Sequence, residues 1–246
     1  MRSTTPPGRR DGGGPTNEVS PMEYTIEHGP AFALGVLQWR AGERMQAEAG
    51  AMVSMSDTIE MKSEVRGGLM KGLKRSVLGG ESFFINKFEA SGDGGEVTVA
   101  PALPGDIVAL EVGGPSLLIQ SGSFLAATDG VEIDTKWGGA KSFFSGEGLF
   151  LLKATGAGTI FLSSYGAIRL IELGEGQRYT VDTGHMVAFD ESVRYSVGKS
   201  GGWRTTLTSG EGLVAKLEGP GRFYMQTRAP QAFIGWLAPK LPGKRE

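Results

Sequence analysis

The sequence predicts an all-β fold in which one unit is written three times. Three observations carry that expectation. The 246-residue chain holds 40 glycines, more than double the usual share of roughly 7%. Its apolar runs are short and bounded by Gly-rich phrases, the pattern of buried strands rather than helices. A set of phrases also recurs three times in the same order.

The recurring phrases define the unit. Residues 80–99 read GESFFINKFEASGDGGEVTV, residues 146–162 read GEGLFLLKATGAGTIFL, and residues 210–225 read GEGLVAKLEGPGRFYM. Each is a Gly-Glu pair, an apolar run, a Gly-rich turn and a second apolar run. A Gly-Gly pair precedes each, at Gly67-Gly68, Gly138-Gly139 and Gly201-Gly202. Further upstream stand AGAMVSMSDTIEM around Gly50, SGSFLAATDGVEI around Gly122 and TGHMVAFDESVRY around Gly184. Two residues after that glycine come Met52, Phe124 and Met186, followed by Val53, Leu125 and Val187. An acid stands seven residues on, at Asp57, Asp129 and Glu191, and an aliphatic nine on, at Ile59, Val131 and Val193. Gly29, Gly105 and Gly166 open the three units, each before a short apolar segment. Glycine serves such a chain as a hairpin residue, because positive φ carries no Cβ clash there.

Taken along the chain, residues 1–21 are rich in Pro, Gly and charge and predict a disordered tail. Arg2, Arg9 and Arg10 are mixed with prolines and with Asp11 and Glu18, which argues against an amphipathic targeting helix. Met22 is an alternative start. Residues 22–228 form the body, with repeats at about 22–104, 105–165 and 166–228. A unit of about 60 residues buries only around 60% of its unfolded surface, so the copies are expected to pack into one body around a pseudo-threefold axis. Residues 229–246 form an extension whose apolar segment, Phe233 to Leu237, is expected to dock on the body.

Charge and composition exclude several functions. A formal charge of -2 and a pI near 5.9 are not those of a globally basic nucleic-acid binder. The absence of cysteine removes disulfides, thiolate metal sites and cysteine nucleophiles. No stretch approaches the roughly 18 apolar residues of a membrane helix, and a cytoplasmic location is expected.

Motifs for catalysis are equally scarce. Gly146-Glu147-Gly148 begins like a dinucleotide fingerprint, but Leu151 takes the place of its third glycine, and Leu149 to Leu152 read as a strand rather than a helix. No Walker-type loop occurs. His28 and His185 lack metal-ligand spacing, and His185 occupies a place taken by Ala51 and Ser123 in the other repeats. No cofactor is expected.

Two sets of residues remain as candidate sites. Glu81, Glu147 and Glu211 share one place in the three copies. They could converge and raise one another's pKa or hold a cation, or each could accept backbone hydrogen bonds at a strand entrance. Asp57, Asp129 and Glu191 read as turn residues. The second set departs from the threefold pattern: between Gly-Gly and Gly-Glu the later copies have six and seven residues, and the first has eleven, LMKGLKRSVLG. On a helical wheel Leu69, Met70, Leu73 and Val77 share one face and Lys71, Lys74 and Arg75 lie on another. This segment, residues 69–78, is either a flap on the body or a contact site.

Several phrases carry a family resemblance: GAMVSM, VAP..PGDI, GSFLA, SGEGLFLL..TG.G..FLSSYG, VDTGH.VAF and the closing GEGLV..L.GPG..Y.QTR. They resemble the altered-inheritance-of-mitochondria (mitochondrial biogenesis) family in its bacterial branch, long described as a domain of unknown function, over residues 24–228. The resemblance implies a triplicated double-stranded β-helix, similar in fold to the tryptophan RNA-binding attenuation protein. It also implies a role tied, in fungi, to mitochondrial inner-membrane organisation.

The expected function is a non-catalytic homo-oligomeric scaffold that meets a protein partner or an anionic membrane surface. A small-ligand or nucleic-acid binding module is the alternative by fold analogy, although no basic run interleaved with aromatics supports nucleic acid. An enzyme built on the repeated glutamates comes third.

Overall fold

A computed structural model describes residues 22–64, 84–134, 143–144, 149–199 and 213–241. The first repeat supplies β1 (Glu23–Glu27), β2 (Leu34–Trp39), β3 (Arg44–Glu48), β4 (Met52–Met55), β5 (Ile59–Glu64), β6 (Ile85–Ala90) and β7 (Gly95–Val99). The second supplies β8 (Ile107–Val112), β9 (Leu117–Gln120), β10 (Phe124–Thr128), β11 (Val131–Asp134), β12 (Phe143–Phe144), β13 (Leu149–Gly156) and β14 (Gly158–Ser163). The third supplies β15 (Ile168–Leu173), β16 (Arg178–Asp182), β17 (Met186–Asp190), β18 (Arg194–Lys199), β19 (Leu213–Glu218) and β20 (Gly221–Gln226). Among the described residues the protein is all-β apart from one short helix, α1 (Pro230–Leu237), and single 3-10 turns. The three phrases after Gly50, Gly122 and Gly184 open β4, β10 and β17, and Asp57, Asp129 and Glu191 stand in the turns that follow.

One pairing scheme recurs in every repeat. β7 lies between β2 and β4, β14 between β8 and β10, and β20 between β15 and β17. Likewise β6 lies between β3 and β5, β13 between β9 and β11, and β19 between β16 and β18. All these ladders are antiparallel. A bulge falls at the same place in all three copies, at Val53, Leu125 and Val187. Each repeat therefore contributes two half-sheets, and its chain alternates between them.

Two junctions join the repeats edge to edge. β3 pairs with β10, with Ala47 opposite Ala126, and β9 pairs with β17, with Ile119 opposite Ala188. The result is four open sheets with the orders β1-β2-β7-β4, β5-β6-β3-β10-β14-β8, β11-β13-β9-β17-β20-β15 and β16-β19-β18. Three apolar cores separate them. The first gathers Leu37, Trp39, Phe88 and Phe161, the second Phe124, Ile119, Leu152 and Val187, and the third Leu118, Leu151, Phe189 and Phe223. The two middle sheets are thus covered on both faces. That is why Leu151 and Leu152 can be neighbours in sequence and both buried, in different cores, and why their strand reads as an unbroken apolar run rather than an alternation.

The structure corrects the expectation that the Gly-rich turns close hairpins. β13 and β14 follow one another through Gly156-Ala157-Gly158, yet they belong to different sheets and share no ladder. The same holds for β6 with β7 and β19 with β20. These turns are corners between layers. Gly156 (φ 91°) and Gly158 (φ 145°) supply the backbone angles that such a reversal demands.

Candidate functional site

The segments that follow β3, β9 and β16, around Gly50, Gly122 and Gly184, line one cleft of about 260 Å³. Gln120, Ser164 and Gln226 contribute to its wall, and Pro230 and Gln231 of α1 border it. Several of its polar groups are committed to the fold. Gln226 Nε2 donates to the Gly184 carbonyl at 2.8 Å, and its Oε1 accepts from the Tyr165 backbone N–H at 2.8 Å. Ser123 Oγ donates to Gln120 Oε1 at 3.3 Å. His185 Nδ1 lies 2.8 Å from the Gln226 carbonyl oxygen, which accounts for this histidine as a structural residue. His28, the other histidine, is exposed beside Glu27.

No cluster of three or more His, Asp or Glu side chains suited to a metal exists among the described residues. The repeated Glu81, Glu147 and Glu211 lie outside the described residues, as do Leu69, Met70, Lys71, Leu73, Lys74 and Arg75. Ion pairs instead line the strand faces. Arg44 donates to Glu89 at 2.9 Å, Arg222 grips Asp190 through two nitrogens at 3.1 and 3.0 Å, and Lys153 meets Glu191 at 2.7 Å. Glu218 accepts from Arg194 and from Arg178, and these two hydrogen bonds hold its carboxyl below the usual range. Glu89 is lowered in the same way by Arg44.

The most unusual surface is one that sequence reasoning missed. β10 and β17 are flanked on both edges, and Leu125 and Val187 at their bulges are 1% and 0% exposed. β4 has the same place in the first repeat, but only β7 pairs with it among the described residues. Its bulge residue Val53 is 59% exposed and Met55 is 39% exposed. β16 is the counterpart: β3 and β9 each pair with the following repeat, whereas β16 ends a three-stranded sheet. The apolar phrases MVSM, FLAA and MVAF were visible in the sequence, but nothing in them distinguishes a strand with a neighbour from one without.

A second exposed region lies on α1. Phe233 packs edge-on against Tyr165 at 5.9 Å. Ile234 and Trp236 are nonetheless 51% and 58% exposed, and Lys240 Nζ sits 4.6 Å above the Trp236 ring. Among the described residues no helix is long and apolar enough to cross a membrane.

Comparison with known proteins adds a fold and a lineage. An uncharacterized protein of Streptococcus pyogenes serotype M6 is 31% identical over 229 residues, covering 90% of this chain and 92% of its own. The crystal structure of another Streptococcus pyogenes protein superimposes with a TM-score of 0.76 at 29% identity, covering 89% of this chain and all of that one. The model of the family described as Mitochondrial biogenesis AIM24 matches residues 24–228, well over half of the sequence, and the chain belongs to that family.

Proposed function

We propose that this protein is a non-catalytic scaffold that works as a homo-oligomer and presents its repeats to a protein partner or an anionic membrane surface. In this reading each repeat is a short double-stranded β-helix, and its two layers are the two half-sheets between which the chain alternates. One observation carries the oligomer: β4 keeps the apolar phrase of two buried strands on an edge that is exposed and, among the described residues, unpaired beyond β7. Such edges recruit further strands unless they are covered or charged. Multi-angle light scattering on the full chain tests the reading. The expected mass is several times the 26.0 kDa of one chain, and a single-chain mass at every concentration would overturn it.

The membrane arm of the proposal draws on the exposed Ile234 and Trp236 beside Lys240. An aromatic and an aliphatic next to a cation suit the boundary between headgroup and acyl chain. The basic segment 69–78 adds three cations without an acid. An oligomer would present several copies of both, which multiplies a weak contact. The cleft of about 260 Å³ supports the second reading, a small-ligand module, although its polar walls are occupied by internal hydrogen bonds.

A further inference from the structure

We infer that β4 of one copy pairs antiparallel with β16 of the next, joining copies head to tail by the junction that already joins the repeats within a chain. The inference rests on the oligomeric reading above and names the surface. Inside the chain the rule is uniform: the half-sheet β5-β6-β3 is continued by β10-β14-β8, and β11-β13-β9 by β17-β20-β15. Among the described residues two half-sheets lack that continuation. They are β18-β19-β16 at the end of the chain and β4-β7-β2 at its start. The one has the place of a donor in this rule and the other the place of an acceptor.

The internal junctions fix the register. Ala126 and Ala188, four residues after Gly122 and Gly184, stand opposite Ala47 and Ile119, which precede Gly50 and Gly122 by three. Ser54 and Val181 hold those two places, so they should face each other, with Met55 opposite Thr180. Charge agrees with this register. Asp129 donates its backbone N–H to the Arg44 carbonyl at the first junction, and Glu191 does so to Ser116 at the second. The equivalent pair across copies is Asp57 with Arg178. Arg178 repeats Arg44 in another respect, because Arg44 stands opposite Glu89 on β6 and Arg178 opposite Glu218 on β19. The contact is heterologous, so it propagates from copy to copy and ends only by closing a ring.

Engineered disulfides test the register in a chain without cysteines of its own. Two double variants are needed, Ser54→Cys with Val181→Cys and Met55→Cys with Thr180→Cys. Of two successive opposite pairs in an antiparallel ladder, one is the closer, non-hydrogen-bonded kind that suits a disulfide. After mild oxidation, at least one double variant should give a ladder of covalent multimers on a non-reducing denaturing gel. Each single-cysteine variant should stay at one chain, and a mixture of the two singles of a pair should stop at two. Self-linked Met55→Cys would mean that β4 meets β4 and would overturn the pairing. An internal disulfide without a ladder would mean that the chain closes on itself and would also overturn it. Oligomers by light scattering with neither pair linking would place the contact elsewhere, leaving the scaffold reading intact. A single-chain mass throughout would overturn both.

Discussion

β10 and β4 occupy one place in the repeat and meet opposite surroundings. In β10, β3 covers one edge and β14 the other, Leu125 and Ala126 enter the first core, and Phe124 and Ala127 enter the second. In β4 the corresponding Met52 packs only partly against the first core, and Val53 projects from the surface. The difference is one of position in the chain. The second repeat has a first repeat to lean on, and among the described residues no strand stands in that place beside the first. An apolar strand that is buried by its neighbour in two copies and bare in the third signals a missing neighbour, which is a sharper statement than an exposed valine could make alone.

Truncation should separate the two environments most strongly. Leu125→Ala removes a fully buried side chain and should destabilise the protein by about 2–5 kcal/mol. Val53→Ala should change the stability of the isolated chain by less than about 0.5 kcal/mol while weakening association. Urea unfolding at low concentration, with light scattering in parallel, measures both. Equal losses of stability would show that β4 is already buried within one chain, and the contrast would collapse.

The first repeat differs from the others a second time, through its basic segment of eleven residues where the others have six and seven. If its exposed edge and its insert serve one assembly at a membrane, vesicle binding should depend on both. Each cation near an anionic surface is worth on the order of 1 kcal/mol. Co-sedimentation with anionic but not neutral vesicles is therefore expected. Salt and the triple change Lys71→Glu, Lys74→Glu and Arg75→Glu should abolish it, and Trp236→Ser should reduce it. Undiminished binding of the triple variant would remove the insert as the contact.

Much of this architecture was legible in the sequence, and the limits were physical. The repeat frame placed the openings of β4, β10 and β17 because apolar residues and turn acids recur at fixed offsets. It placed the buried run of β13 because Leu151 and Leu152 leave no polar face. The corner at Gly156 and Gly158 was misread as a hairpin, since a positive φ marks a reversal without saying which strand lies alongside. The exposure of Val53 was invisible for a related reason: pairing between repeats is a non-local fact, and the local phrase MVSM is as apolar as its buried equivalents. The repeated glutamates and the basic insert remain sequence observations, because they fall outside the described residues.

A smaller effect should sharpen the comparison at its charged rim. Asp57→Arg and Arg178→Asp should each weaken association by about two- to fivefold, the scale of a cross-strand charge pair. Combined in one chain they should restore it. Two losses that simply add would show that these residues do not face each other, and would separate the charge argument from the strand pairing itself.

The smallest expected effect concerns acid. Arg44 with Glu89 and Arg178 with Glu218 are the same cross-strand pair in the first and third repeats, and both carboxyls are held below their usual value by hydrogen bonds from arginine. A carboxyl lowered in the folded state binds its proton more readily when unfolded. Its contribution is therefore complete above the ordinary carboxylate pKa and disappears as pH falls through the lowered folded value. In both pairs the arginine is exposed and the carboxylate partly so, so solvent screens them and the effect on stability is modest. Glu218→Gln should lower the thermal midpoint slightly at neutral pH, and the gap from the parent should close on acidification. A gap that persists unchanged in acid would mean that the substitution acts through packing of β19 rather than through the charge. Association should add a second layer to this test. If Asp57 of a neighbouring copy joins Arg178, loss of Glu218 leaves that arginine a remaining acidic partner in the oligomer and none among the described residues of the single chain. The gap at neutral pH should then be wider at dilutions that dissociate the assembly than at concentrations that maintain it.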